Sequence, residues 1–186
     1  MKSNDRTKQT GEVFTPTTLV LEMLEKLPPD SFEPEKTFLD NSCGNGQFLA
    51  EVFNKGVPLS NIYGVDLMAD NAADTVARLA ILEQYNIDIV SEKAELLVEH
   101  DGYVNDHNYH WLRENAKSFK RTYKHPEVEA VVTFSHWDKG YGGVLKVSLD
   151  GKPAKVNPNI VCQDALKYDY CFEGKKQEPK KNVIVF

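Results

Sequence analysis

The stretch Asp40-Asn41-Ser42-Cys43-Gly44-Asn45-Gly46-Gln47-Phe48-Leu49 decides the fold. The short apolar run Thr37-Phe38-Leu39 precedes it, and Ala50-Glu51-Val52-Phe53 continues it with apolar residues at helical spacing, so the segment reads as strand, tight turn, helix. Gly44 and Gly46 omit side chains where the backbone turns sharply or a ligand comes close. The helix that follows offers unpaired N–H groups and the positive end of its dipole. This arrangement suits a nucleotide-like ligand. The dinucleotide fingerprint wants a third small residue three places after its second glycine; Leu49 stands there, which disfavours a nicotinamide cofactor.

The same grammar repeats downstream, with Ile62-Tyr63-Gly64-Val65-Asp66 as a strand and Asn71 to Tyr85 as a helix whose Ala73, Val76, Ala77, Ala80 and Ile81 form an apolar stripe. Upstream, Leu19, Val20, Met23, Leu24 and Leu27 recur at helical spacing after a Thr15-Pro16-Thr17-Thr18 start, and Pro28-Pro29 ends the run. Two further strands are expected at Ile160-Val161-Cys162, just before Gln163-Asp164, and from Val183 to Phe186. Alternating βαβα predicts an α/β fold with a mostly parallel, shortened sheet and helices packed on it. Residues 91–124 read as helical, anchored by Leu96, Leu97, Trp111, Leu112, Ala116 and Phe119, with a break near Asp101-Gly102. Residues 128–149 read as a hairpin around Asp138 to Gly143. A parallel crossover needs only about a dozen residues. Residues 87–156 are therefore expected to be an α+β insertion of helices and a hairpin, between a first core segment at 17–86 and a last one at 157–186, with 1–16 as a polar tail ending in a ligand-facing motif.

Composition narrows the class. The chain has 186 residues, 41% hydrophobic and 27% charged, which excludes collagen-like, low-complexity and wholly disordered chains. No apolar run approaches the ~20 residues that span a bilayer, and the first twenty residues carry no apolar signal core, so a cytoplasmic protein with no membrane partner is expected. Cys43, Cys162 and Cys171 make an odd count with no Cys-x-x-Cys pair, which predicts reduced thiols and no cysteine-built metal site. A net charge of −6 gives no overall pull toward polyphosphate. Contact with DNA would rest on a local basic patch or on a partner subunit.

Asp66 closes its strand 26 residues after Asp40, at the place where an acid accepts hydrogen bonds from ribose hydroxyls in doubly wound folds. Asp164 follows the third strand, where a carboxylate can accept from an exocyclic amine between the apolar walls of Ala165 and Leu166. Each aspartate alone reads equally well as a turn or cap residue. It is their order on successive strand ends that points to one crevice.

The residues Gly11-Glu12-Val13-Phe14-Thr15-Pro16, then Asp40 to Leu49, then Gly64-Val65-Asp66-Leu67-Met68, then Cys162-Gln163-Asp164-Ala165-Leu166 resemble the S-adenosyl-L-methionine-dependent adenine-N6 DNA methyltransferases, in particular the methylation subunits of type I restriction systems and related γ-class enzymes. The resemblance covers about 1–85 and 157–186. It implies a Rossmann-like core and S-adenosyl-L-methionine as cofactor. By that resemblance Phe14, Thr15 and Pro16 lie against the methionine part of the cofactor, with Thr15 bonding its carboxylate. Asp40 and the turn Cys43, Gly44 and Gly46 face the amino acid moiety and the sulfonium, and Phe48 packs at the edge. Asp66 takes the ribose hydroxyls, Leu67 or Met68 covers the adenine, and Asp164 accepts the adenine amino group.

Two departures follow. Asn41 stands where the family often has proline. More consequential, the family's Asn/Asp-Pro-Pro-Tyr/Phe loop, which holds the target amine after the fourth strand, has no counterpart: Asn157-Pro158-Asn159 lacks the second proline and the aromatic, and the sequence reaches Phe186 before such a loop begins. The catalytic residues are therefore not assigned. Two readings stand: a methyltransferase acting on adenine in DNA, with missing parts supplied by a second chain, and a catalytically inactive cofactor-binding protein that is accessory, regulatory or sequestering. Arg113, Lys117, Lys120, Arg121 and Lys124, interleaved with Trp111, Phe119 and Tyr123, compose either a basic, aromatic nucleic-acid face or a solvated helix face, as charge runs usually do. His100, His107 and His110 with Asp101 and Asp106 show no compact metal-ligand spacing, and no metal is expected. Both a monomer and a homo-oligomer remain open.

Overall fold

The structure is a computed structural model that describes residues 13–92, 94–99, 118–136, 143–156, 158–166 and 183–185. In chain order its elements are α1 (Thr17–Glu25), β1 (Thr37–Asp40), α2 (Gln47–Asn54), β2 (Ile62–Asp66), α3 (Ala69–Tyr85), β3 (Glu95–Glu99), β4 (Ser118–His125), β5 (Val128–His136), β6 (Gly143–Leu149), β7 (Lys152–Pro153), β8 (Asn159–Cys162) and β9 (Val183–Val185), with short 3-10 turns at Pro29–Phe32 and Leu59–Asn61. The strands form one sheet in the order β3-β4-β5-β6-β8-β2-β1-β9, with β7 paired to β6. β8, β2, β1 and β9 are parallel. β3 to β6 are antiparallel, and the two parts join where β6 pairs antiparallel with β8, Gly143 opposite Cys162.

The βαβα reading of the first part holds. β1, α2, β2, β8 and β9 lie where the alternation places them, and α3 starts two residues ahead of the expected Asn71. The middle of the chain requires two corrections. The helical reading of 91–124 is overturned wherever that segment is described: 95–99 and 118–125 are antiparallel strands, paired Glu95 to Lys124 through Glu99 to Lys120. In β4 Lys120 and Lys124 are exposed and Arg121, Thr122 and Tyr123 between them are buried, and its ladder partner is β5 from Ser135 to Val128. Cross-strand pairing of this kind overrides a local helical spacing. The second concerns the extent of the sheet: its core strands β8, β2, β1 and β9 are parallel as expected, but they are only part of it. The expected hairpin, β5 with β6, is present, but it continues the main sheet as an antiparallel flank instead of standing apart.

One helix ties the two flanks together. α3 packs against β2, β8, β6 and β5, and eleven of its residues from Asn71 to Leu82 are buried, among them Val76, Leu79 and Ile81. α2 packs on β1 and β2 and meets α1 and α3. Their apolar faces enclose a core with Val20, Leu24, Phe38, Leu49, Val52, Ile62 and Ile160, continuous with Ala130, Val132, Leu145 and Val147 of the antiparallel flank. Tyr63, Val65 and Val161 form a second cluster on the alternate positions of β2 and β8, so these strands are buried on both faces, as parallel strands usually are. Among the described residues no helix is long and apolar enough to cross a membrane.

Gly64 sits at the tightest point of this packing. A Cβ there would stand 2.7 Å from Ile160 Cδ1, 2.9 Å from Leu49 Cδ1 and 3.0 Å from Cys43 Sγ. These neighbours are side-chain ends from β8, α2 and the glycine turn, so a methyl group there has to displace all three at once. Gly64→Ala is expected to lower stability by about 1–3 kcal/mol, read as a lower urea midpoint at unchanged slope; an unchanged midpoint would show that β2, β8 and α2 are less closely packed than described.

Candidate functional site

β1 ends at Asp40 and the chain turns at once into α2. The Cys43 N–H donates to Val65 O at 3.0 Å, which ties the turn to β2, and the Gly46 N–H donates back to Cys43 O at 2.8 Å. This path needs left-handed backbone at Gly44 (φ +54°) and Gly46 (φ +76°), which glycine alone adopts without strain. The two glycines serve different ends. A Cβ on Gly46 would lie 2.9 Å from Thr75 Cγ2, so Gly46 lets α3 approach. A Cβ on Gly44 would lie 3.2 Å from Cε1 of Phe14, so Gly44 leaves its space to the aromatic ring laid over the turn.

Two carboxylates are buried beside this turn. Asp40 and Asp66 are each 6% exposed and end neighbouring parallel strands. Asp40 Oδ1 accepts from the Ser42 N–H at 3.0 Å. Asp66 Oδ2 accepts from the Gly44 N–H at 2.8 Å, and Oδ1 accepts from the Met68 N–H at 2.7 Å and from Asn71 Nδ2 at 3.4 Å. Among the described residues no basic side chain pairs with either acid; the ion pairs lie elsewhere. Burial therefore dominates. It lifts Asp40 to about 6, with the Asp66 charge adding to the rise against the Ser42 N–H, and lifts Asp66 to about 6 despite its three donors. Burial also pushes the Cys43 and Cys162 thiols well up, so both stay protonated and neither is a nucleophile at neutral pH.

α3 organises the turn through a polar stripe that the sequence reading missed. Asn71, Thr75 and Arg78 follow one another at helical spacing. Thr75 Oγ1 donates to Gly44 O at 2.8 Å. Arg78 is 2% exposed and donates through Nη1 to Asn45 O at 3.3 Å and Gln47 Oε1 at 3.1 Å, and through Nη2 to Asp88 Oδ2 at 2.6 Å. Gln47 Nε2 in turn donates to Thr17 Oγ1 at 2.7 Å, joining α1 to the same network. The available signal was a lone arginine among buried alanines and valines on one helix, a position rarely filled unless the charge is paired. Asn45 Oδ1, within the turn, is buried with no partner.

The other residues singled out from sequence fall as follows. Phe14 lies over Gly44, with Thr15 and Pro16 next to it leading into α1; Thr15 is half-buried and Pro16 exposed. Phe48 packs against the core from α2. Leu67 is exposed and Met68 half-buried, beside the start of α3, and the Leu67 carbonyl accepts a weak bond from Cys162 Sγ at 3.6 Å. The β8 end is tied to β2 by the Gln163 N–H donating to Asp66 O at 2.8 Å; Asp164 Oδ1 accepts from the Leu166 N–H at 3.0 Å, and Ala165 packs beside the Tyr63 cluster. The structure thus gathers Phe14, Asp40, Cys43, Gly44 and Asp66 at one end of β1 and β2, with Asp164 on the adjoining strand end. The basic series is not gathered. Arg113 and Lys117 lie outside the described residues, as do His100, His107, His110, Asp101, Asp106 and Cys171. Lys120 and Lys124 are exposed on one side of β4, Lys124 facing Glu129 at 3.9 Å, while Arg121 is buried on the other.

A carboxylate pair at neighbouring strand ends, with no basic partner among the described residues and an unsatisfied acceptor nearby, is suited to a small organic cation. Over 73 residues, 39% of this chain, the sequence is 36% identical to the type II methyltransferase M.VspI of Vibrio sp. (strain 343), and the match spans 17% of that protein's length. The chain is thus related to a methyltransferase over a part of each sequence. No protein-family model matches the chain, and no solved structure matches it.

Raising an aspartate from its ordinary 3.8 to about 6 corresponds to about 3 kcal/mol of penalty on its ionised form. Since both folded values lie above the unfolded one, these groups favour folding fully below about pH 4, and that contribution is lost as pH rises through about 6. Asp40→Asn is therefore expected to gain on the wild type by about 1–3 kcal/mol between pH 4.5 and 7.5, measured as the difference in urea midpoints at each pH; a difference constant across that range would contradict the burial of an ionisable Asp40.

Proposed function

We propose that the crevice at the ends of β1 and β2 binds S-adenosyl-L-methionine and that the chain is a Rossmann-like core of the DNA adenine-N6 methyltransferase type. The observation that carries this reading is the buried pair Asp40 and Asp66, set under Phe14 and the Gly44-x-Gly46 turn with no basic partner among the described residues. The cofactor brings a sulfonium and an ammonium, the charges that such a pair lacks. Asp66 retains lone-pair capacity for ribose hydroxyls, since a carboxylate offers about four acceptor sites and three are used. Asn45 Oδ1 is a ready acceptor for an amine.

The topology supports the same placement. In chain order the parallel strands β1, β2, β8 and β9 take the spatial sequence third, second, first, fourth, so the direction of winding reverses between β1 and β9. Ligands in open α/β sheets bind outside the carboxyl ends of the strands at such a reversal. Phe14 would then cover the methionine end, with Thr15 and Pro16 behind it, Leu67 and Met68 would flank the adenine, and Asp164 would accept its amino group. When bound, the cofactor supplies an activated methyl group. This chain's part is to hold it: Asp40 and Asp66 offset its charge, Phe14 and Phe48 exclude water, and Gly44 leaves room for close approach.

The second reading is that of a cofactor-binding accessory, regulatory or sequestering protein, in which this chain holds the cofactor and takes no part in the transfer. DNA remains a proposed partner, reached through a partner subunit or a basic patch that includes Lys120 and Lys124.

S-adenosyl-L-methionine at 100 times its dissociation constant is expected to stabilise the protein by about 2.7 kcal/mol, a rise in Tm of about 5–10 °C for a chain of this size. Asp66→Ala should weaken binding by about 1–3 kcal/mol. No calorimetric heat at millimolar cofactor would end this reading, and unchanged affinity in the variant would displace the ribose from Asp66. Tritium from labelled cofactor is expected to stay at background on unmethylated duplex DNA with the chain alone; clear turnover would rule out the accessory reading.

A further inference from the structure

α3 carries two polar stripes that face different neighbours. Asn71, Thr75 and Arg78 face the glycine turn and Asp66, as described above. Asp70 and Asp74, each one position earlier than Asn71 and Thr75, face β4 of the antiparallel flank. There Arg121 Nη2 stands 3.3 Å from Asp74 Oδ1 and Nη1 stands 3.9 Å from Asp70 Oδ2. Tyr123 donates its hydroxyl to Asp74 Oδ1 at 2.7 Å, and the Arg121 guanidinium lies 5.9 Å from the centre of the Tyr123 ring. Arg121 and Tyr123 are two residues apart on a strand, hence on one face. Their ladder partners Val132 and Ala130 are fully buried, so the cluster lies in apolar surroundings where charge is weakly screened. Arg121 is 8% exposed.

We propose that Arg121 and Tyr123, on a strand outside the parallel part of the sheet, are positioning residues of the ligand site: they hold the first two turns of α3 and neutralise Asp70 and Asp74, and so set both the place and the charge environment of Asp66. The mechanical link is short. Asp66 is held by the Met68 N–H and by Asn71 Nδ2, donors that flank Asp70 in the first turn of α3. The electrostatic link is equally direct. Two acids at i and i+4 repel each other, and Asp70 also acts on Asp66, pushing it up. Among the described residues the other charged or titratable groups around Asp66 are Asp40 at the end of β1, the Cys43 thiol in the turn, the Cys162 thiol at the end of β8, and Arg78 on α3, whose guanidinium is bonded to Asn45 O, Gln47 and Asp88. Arg78 is committed to the turn and to Asp88, so Arg121 on β4 is the cation that offsets Asp70, one element removed from Asp66. The antiparallel flank becomes part of the site's machinery, and anything that engages β4 is coupled to the ligand and the ligand to it.

The affinity arm of the test rests on the proposed cofactor; the titration arm does not. Carboxyl-carbon NMR of the ligand-free protein follows Asp66 directly. In Arg121→Met the Asp66 midpoint is expected to rise by about half a pH unit or more. S-adenosyl-L-methionine binding at pH 6.5 should weaken about fivefold to fiftyfold. Arg121→Lys should keep most of the wild-type midpoint. On an Asp70→Asn background, Arg121→Met should move the midpoint less than half as far. Tyr123→Phe keeps the ring and removes only the hydroxyl, and a smaller rise is expected there, which decides the matter if Arg121→Met does not fold. An Asp66 midpoint unmoved in folded Arg121→Met, or in Tyr123→Phe should the former be unfolded, would overturn the inference. Should the wild type not bind the cofactor while the midpoints shift as stated, the coupling stands and the cofactor assignment falls.

Discussion

Burying Asp40 and Asp66 side by side, with no basic partner among the described residues, obliges the surrounding backbone to do what a counter-ion would otherwise do. The Ser42, Gly44 and Met68 N–H groups all point at these carboxylates, and each comes from the first residues after a strand. That arrangement exists only if the chain reverses within a few residues of β1. The left-handed Gly44 and Gly46 make that reversal, and Thr75 and Arg78 hold it by their bonds to Gly44 O and Asn45 O. The carboxylates are thus held in place by the fold itself.

α3 is the element through which the rest of the molecule bears on that pair. Its length lets it cross both the parallel and the antiparallel parts of the sheet, and its stripes assign a different neighbour to each face. Apolar positions such as Val76, Leu79 and Ile81 pack on the sheet. Asn71, Thr75 and Arg78 serve the turn, and Asp70 and Asp74 meet Arg121 and Tyr123. The antiparallel flank is in this sense not an ornament on the parallel half of the sheet, because Arg121 is a cation set between two acids of α3 that stand close to a third.

Much of the ligand end was legible in the sequence because its determinants are local. A strand, two glycines and a helix at fixed spacing define the turn, and Asp40 and Asp66 follow as the residues that end successive strands. Val183 to Val185 was legible for the same reason, as a short β-branched run that can only be a strand. Residues 95–99 and 118–125 were misread because strand identity there depends on partners distant in sequence, β5 for 118–125 and 118–125 in turn for 95–99; Arg121 and Tyr123 fit an alternating pattern, yet charged neighbours at Lys120 and Lys124 also fit a helix face. Sequence gives the charge of Arg121 but not its burial. Arg78 was passed over because its partners, Asn45, Gln47 and Asp88, are scattered and converge only in three dimensions. The turn of Asp66 inward, onto Gly44 and Met68, likewise follows from packing and not from its position at a strand end.

The most direct measurement is calorimetric titration with S-adenosyl-L-methionine at pH 6 in two buffers of different ionisation enthalpy. At that pH each of the two buried acids is about half protonated, so a bound sulfonium should expel up to about one proton in total. The observed heat should therefore differ between the buffers, and the difference should shrink with the demethylated product, which lacks the sulfonium charge. Equal heats in both buffers, or none at all, would contradict the claim that Asp40 and Asp66 form a cation site.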